Sequence, residues 1–254
     1  MKKLIIGNWK MYPAELKSAR EKFTAIKKVA GTLKNVQTVV CPPFVFVGDL
    51  KKLAMGNRCT LGAQNAWIAK DGAYTGEVSP AMLASMGINY VIIGHSERRE
   101  LGETDELINK KVVAGVKAGL MVVLCVGERE RDVDGEYLKY IANQIRLALV
   151  GVSKKDLSNL IVAYEPIWAI GKNATHSATA DDALEVSILI KRSLSYLYGK
   201  EGSAVPVLYG GSVDAKNGAD ILEKSQIAGL LVGRASLDPA VFGEILRGVE
   251  KIKQ

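Results

Sequence analysis

Apolar residues arrive along this chain in short runs with little polar alternation: KLIIGNW, VQTVVCP, CTLGAQN, NYVIIGHS, MVVLCVG, NLIVAYE, PVLYGGS and AGLLVGR. Runs of this kind suit strands of a parallel sheet covered on both faces. Between them apolar positions recur at helical spacing, as from Ala14 to Ala30, Asp105 to Ala118, Tyr137 to Val150, Ala180 to Tyr198 and Asp214 to Lys224. Most strand-to-strand intervals are about 30 residues, the length of one βαβ unit. Eight such units in 254 residues predict one α/β domain over residues 1–254, a closed eight-stranded parallel (β/α)8 barrel. An open doubly wound sheet is the alternative, but no GxGxxG turn follows the first run. No linker, low-complexity tract or internal repeat interrupts the beat.

Composition narrows the setting. The chain is 48% hydrophobic and 24% charged, an ordinary globular mixture. No stretch nears the roughly 20 continuous apolar residues of a membrane span. The start, MKKLIIGNWKM, imitates a signal peptide, but Gly7, Asn8 and Lys10 cut its apolar run short. A cytoplasmic protein with no membrane partner is expected. Cys41, Cys59 and Cys125 are odd in number and lack CxxC spacing, so structural thiols in a reducing compartment are expected. The formal charge of +7 raises the question of a polyanion partner. Its basic pairs, from Lys2-Lys3 to Lys191-Arg192, are spread along the chain, mostly in helix-like segments interleaved with acids. Solvated helix faces explain them better than nucleic acid does, while the field still favours a small anionic substrate.

The active site of such a barrel lies at the C-terminal ends of its strands. The exits read Asn8-Trp9-Lys10-Met11, Gly94-His95-Ser96-Glu97, Glu165-Pro166, Gly210-Gly211-Ser212 and Gly233-Arg234. Each has an ordinary reading: a surface lysine, a satisfied polar histidine, a capping carboxylate, a glycine turn. Together a cation, an imidazole, a carboxylate and two glycine turns converge on one face. No serine or cysteine has an evident base partner, and two histidines without carboxylate spacing argue against a metal cage. A carboxylate, an imidazole and a lysine suit proton abstraction next to a carbonyl. The first takes the C–H proton and the others stabilise the developing enediolate. Gly211-Ser212-Val213 and Gly233-Arg234 offer backbone N–H groups to a phosphate. The connection after Glu165-Pro166, four mostly apolar residues, a glycine and a small polar stretch, is also longer than the two to six residues of a plain connection.

The motifs NWKM, AQN, GAYTGE, GHSERR, LCVGE, AYEPIWAIG, YGGSV and VGRASL span essentially the whole chain, which closely resembles the triosephosphate isomerase family. The resemblance implies a TIM barrel that interconverts dihydroxyacetone phosphate and D-glyceraldehyde 3-phosphate without cofactor or metal. It implies Glu165 as the base that shuttles a proton between adjacent carbons. His95 is then a neutral electrophile, kept uncharged by the positive helix end at Ser96-Glu97. Lys10 supplies fixed positive charge, Asn8 a neighbouring polar contact, and Glu97 an acid beside the lysine. Ser212, Gly233, Arg234 and Gly171 hold the phosphate of the triose substrate.

The long connection after Glu165 is then a lid. Pro166-Ile167-Trp168 matches its near hinge and Ala169-Ile170-Gly171 its closing part. Closure excludes water and presses Ile170 against Glu165, opposite Leu231; a carboxylate stripped of water is the stronger base. Residues 72 to 77, GAYTGE, resemble a loop that inserts into a second subunit. Thr75 would then approach Asn8 and His95 of the partner subunit in a homodimer. The ordinary reading of this stretch is a glycine-bounded surface turn.

The chain departs from the family pattern twice. After Gly171 the family has Thr-Gly-Lys-Thr-Ala, whereas this chain has Lys172-Asn173-Ala174-Thr175-His176-Ser177-Ala178-Thr179, a longer far hinge in which His176 is expected to be solvated. The family's last Gly-Gly is Gly233-Arg234 here. The N–H of Arg234 can still serve a phosphate if its φ suits a residue with a Cβ, and its guanidinium is expected to face solvent. Competing expectations are another phosphate-binding barrel enzyme and a retired homologue acting as a binding protein, although no catalytic residue is missing.

Overall fold

In the computed structural model, which describes residues 2–54, 56, 58–170 and 178–252, the eight apolar runs are parallel strands. They are β1 (Lys3–Asn8), β2 (Val36–Cys41), β3 (Cys59–Ala63), β4 (Tyr90–Ile93), β5 (Met121–Val126), β6 (Leu160–Tyr164), β7 (Val207–Tyr209) and β8 (Gly229–Val232). Each pairs with its sequence neighbours, and β8 closes the barrel on β1 with Leu4 opposite Gly229 and Gly7 opposite Val232. Gly171 and His176 lie outside the described residues.

Strand periodicity divides the apolar residues between two cores. Ile6, Val39, Ile92, Val123, Cys125, Ile161, Ala163, Leu208 and Leu231 fill the barrel. The alternate residues Ile5, Val40, Val91, Val122, Leu124, Val162, Tyr164 and Leu230 face the helices, which explains why the runs lack polar positions.

The principal helices are α1 (Leu16–Ala30), α2 (Phe44–Leu53), α3 (Pro80–Ser85), α4 (Ser96–Glu100), α5 (Asp105–Lys117), α6 (Glu136–Ala148), α7 (Ala180–Tyr198), α8 (Lys200–Ser203), α9 (Gly218–Lys224) and α10 (Pro239–Glu250). α7 starts where a capping box forms: the Thr179 N–H donates to Asp182 Oδ2 at 2.7 Å, and the Asp182 N–H returns to Thr179 Oγ1 at 3.2 Å. Hydrophobic spacing alone places the start of α9 at Asp214. In the fold that carboxylate accepts the N–H groups of Lys216 at 2.7 Å and Asn217 at 3.0 Å, so a turn consumes those donors before the helix begins.

Lys111 lies fully inside the protein. Lys111 Nζ is 2.6 Å from Glu103 Oε1 and 2.9 Å from Asn65 Oδ1, and lies over the Trp67 ring. Arg98 meets the same Glu103 oxygen at 2.6 Å, and the Lys111 ammonium ties the connections after β3 and β4 together through Asn65 and Glu103. No helix among the described residues is long and apolar enough to cross a membrane.

Candidate active site

Alternation along the strands delivers most of the candidate residues to the barrel mouth. Ile161 and Ala163 point inward, and two residues on Glu165 does too; the same step leads from Ile6 to Asn8 and from Leu231 to Gly233. β4 is different, because inward Ile92 would place Gly94 inside and His95 outside. Gly94 takes φ +74°, a conformation that a side chain would strain, and turns the chain so that His95 becomes the N-cap of α4.

The N-cap position fixes the imidazole. His95 Nδ1 accepts the N–H of Glu97 at 3.2 Å, so that nitrogen turns its lone pair toward the start of the helix. The other ring nitrogen, Nε2, faces Glu165 Oε1 at 3.1 Å. Glu165 Oε2 accepts the N–H of Ser96, the first residue of α4, at 2.9 Å. Both side chains are buried. The capping reading and the acid–base reading of Glu165 therefore describe one arrangement.

Two glycines allow the backbone to crowd this carboxylate. A Cβ on Gly210 would sit 3.1 Å from Glu165 Cγ, and one on Gly127 would collide with the Glu165 carbonyl oxygen. Behind this carboxylate lies Cys125, whose thiol is pushed well up by burial and then by the charge of Glu165, so it remains a protonated, inert neighbour.

Lys10 sits in the left-handed region at φ +54°, which costs a lysine about 1–2 kcal/mol. Its N–H donates to Asn8 Oδ1 at 3.0 Å, and its carbonyl accepts Gln64 Nε2 at 2.7 Å. The ammonium reaches Glu97 Oε1 at 2.7 Å. On its way the side chain passes Gly233, where a Cβ would lie 3.5 Å from Lys10 Cε. The lysine thus spans from the last glycine turn to α4.

These groups line one cavity of about 530 Å³ with Ile170, Leu231, Ser212 and Arg234 on its walls. Asn217 Nδ2 donates to the Ser212 carbonyl at 3.0 Å and holds that turn. Arg234 opens a 3-10 turn over Arg234–Leu237 without a positive φ, so its Cβ is tolerated at the position where the family carries glycine. Its side chain is exposed and has no ion pair among the described residues. The N–H groups of Ser212 and Arg234 have no acceptor among the described residues, which suits them to an anion. Thr75 does not line this cavity; it is exposed in the stretch between β3 and α3. Among the described residues no cluster of three or more His, Cys, Asp or Glu side chains is placed to hold a metal ion.

Pro166 and the 3-10 turn Ile167–Ala169 stand beside a polar cluster that sequence reading overlooked. Glu128 Oε1 accepts Trp168 Nε1 at 2.7 Å and the Tyr164 hydroxyl at 2.8 Å. Burial and then the Glu128 charge push the Tyr164 phenol up, keeping it a donor. Arg131 meets Glu128 at 3.1 Å and Asp182 at 2.6 Å, and covers the Trp168 ring at 5.1 Å. The first turn after Glu165 is thus tied to the start of α7. Gln64 was overlooked in the same way. Both sit in recognisable motifs, AQN and LCVGE, yet their partners come from distant strands and leave no local signal.

Comparison with known proteins agrees with this geometry. The sequence profile of the family described as triosephosphate isomerase matches residues 3–249. A triosephosphate isomerase of Thermoanaerobacter pseudethanolicus is 44% identical over 250 residues, covering 96% of this chain and 98% of that protein. Those of Carboxydothermus hydrogenoformans and Fusobacterium nucleatum are 44% and 43% identical, each covering 97% of this chain and 98% and 99% of their own length.

Proposed function

The chain belongs to the triosephosphate isomerase family and is an enzyme interconverting dihydroxyacetone phosphate and D-glyceraldehyde 3-phosphate, and we propose that Glu165, His95 and Lys10 carry that reaction. The observation that supports this most strongly is the contact between His95 Nε2 and Glu165 Oε1 at 3.1 Å, inside the cavity that Lys10 enters.

In the structure both Glu165 oxygens are engaged, one by His95 and one by Ser96. A substrate carbonyl oxygen replaces Glu165 as acceptor of the His95 Nε2–H. The freed carboxylate then faces the C–H beside that carbonyl and removes its proton. Electron density moves to the oxygen, where the His95 N–H and the Lys10 ammonium stabilise the enediolate. The hydroxyl proton passes to the former carbonyl oxygen, with His95 Nε2 as the relay, and return of the carbon-bound proton to the neighbouring carbon completes the isomerisation. Asn8 and Glu97 hold Lys10 at its two ends, and Ser96 parks the base between turnovers.

The N–H groups of Ser212, Gly233, Arg234 and Gly171 form the phosphate site in this reading. Residues Pro166 to Gly171 form the lid, which brings Ile170 and Leu231 against the base and excludes water. The whole chain is read as a single domain. Two copies form a homodimer through the 72–77 loop, where exposed Tyr74 and Thr75 suit insertion into a partner. Three free buried thiols fit a cytoplasmic setting, and the scattered basic pairs fit solvated surfaces without a nucleic-acid or membrane partner.

Steady-state turnover of D-glyceraldehyde 3-phosphate by the wild type, Glu165→Gln, His95→Asn and Lys10→Met tests the assignment. Each variant is expected to lose about 10²-fold or more in kcat/KM. Wild-type turnover in any of the three removes that residue from the mechanism.

A further inference from the structure

The backbone at Lys10 is left-handed, and two side chains hold it so. Asn8 Oδ1 takes its N–H at 3.0 Å. Gln64, which directly follows β3, donates from Nε2 to the Lys10 carbonyl at 2.7 Å and to the Cys41 carbonyl at 2.8 Å. Cys41 is the last residue of β2, and its carbonyl also receives the Trp9 N–H at 3.1 Å. One amide nitrogen therefore spends both hydrogens on the ends of two other strands. The alternative amide orientation would set an oxygen against two carbonyl oxygens, so the donor assignment is unambiguous.

Lys10 leaves β1 just before its side chain crosses the last glycine turn and meets Glu97 at 2.7 Å. A positive φ aims Cβ in a direction that ordinary extended backbone does not. Relaxation to negative φ would swing the ammonium out of the cavity, and the strain of the left-handed state favours that relaxation. Asn8 alone fixes the N–H side of the residue. The carbonyl side is fixed by Gln64.

We infer that Gln64 is a positioning residue for the isomerisation, holding the strained Lys10 backbone so that its ammonium stays over the reacting oxygens. The inference rests on the reading that Lys10 serves the reaction. Gln64 acts through Lys10 and does not itself contact substrate.

The test is a double-mutant cycle on the full chain, with kcat and KM measured for wild type, Gln64→Met, Lys10→Ala and the double variant. Methionine keeps the length and volume of glutamine while removing both donors; Gln64→Glu, similar in shape but an acceptor, is the second variant. Gln64→Met and Gln64→Glu are expected to lower kcat/KM at least tenfold, with a raised KM, and to leave unfolding midpoints and oligomeric state close to wild type. In the Lys10→Ala background, Gln64→Met is expected to add no more than threefold, because the group it positions is gone. The inference is overturned if Gln64→Met stays within threefold of wild type, or if its full loss recurs without Lys10. If Lys10→Ala itself turns over at the wild-type rate, it is the role of Lys10 that fails.

Discussion

The backbone N–H of Ser96 holds Glu165 Oε2 at 2.9 Å, so the candidate base rests on the first residue of the helix that His95 caps. Glu165 and His95 share one helix start, and their separation follows from its geometry. Gly210 sets the other wall. A methyl there would meet Glu165 Cγ at 3.1 Å, tighter than a relaxed contact. Gly210→Ala is expected to move the carboxylate by tenths of an ångström and to lower kcat roughly ten- to hundredfold. KM and the circular dichroism spectrum should change little. A kcat within twofold of wild type contradicts the placement.

Arg234 stands where the family has glycine, but its guanidinium is exposed and makes no ion pair among the described residues. With the backbone N–H proposed as the phosphate donor, Arg234→Gly is expected to leave kcat/KM within a few fold. Steady-state kinetics at two salt concentrations check this, and a hundredfold loss would assign the side chain to the phosphate.

Lys111 is fully buried, and Glu103 at 2.6 Å is its countercharge. Glu103→Ala leaves an ammonium inside the protein with only Asn65 and the Trp67 face. A loss of about 3–5 kcal/mol in unfolding free energy is expected, measured by urea denaturation at fixed protein concentration. Lys111→Met should be milder, since Arg98 still pairs with Glu103.

Burial pushes the thiols of Cys41, Cys59 and Cys125 up, that of Cys59 to about 12. Unfolded cysteines titrate near about 8.5, so between roughly pH 9 and 12 the unfolded chain has released protons that the native chain retains. A group whose folded value is raised contributes its full stability below the unfolded value. That stability is lost as pH rises, here by about 1.4 kcal/mol per pH unit per thiol. The urea midpoint should therefore fall between pH 8.5 and 10.5, and native protein at pH 8.5 should resist iodoacetamide while unfolded protein reacts at all three positions. A constant midpoint or rapid native labelling contradicts this.

The strands were legible in the sequence because burial on both faces removes polar residues from them. Glu165 and Asn8 were legible because each extends a strand's inward alternation by one step. His95 was not placed by alternation; Gly94 had to be seen at φ +74° before its route to the cavity was clear. The start of α9 was placed too early, since Asp214 can satisfy a turn as readily as it can open a helix. Gln64 and the Glu128–Arg131 pair were invisible for a different reason. Their roles come from bonds to residues dozens of positions away, fixed only when the barrel closes.

In the proposed mechanism Glu165 moves a proton between adjacent carbons of the triose phosphate. Isomerisation of D-glyceraldehyde 3-phosphate in D2O, with product analysed for deuterium, tests it most directly. The account predicts that part of the wild-type dihydroxyacetone phosphate carries one solvent deuterium at C1, and that Glu165→Gln forms product about 10³-fold more slowly. Deuterium-free product formed by Glu165→Gln at the wild-type rate would contradict it.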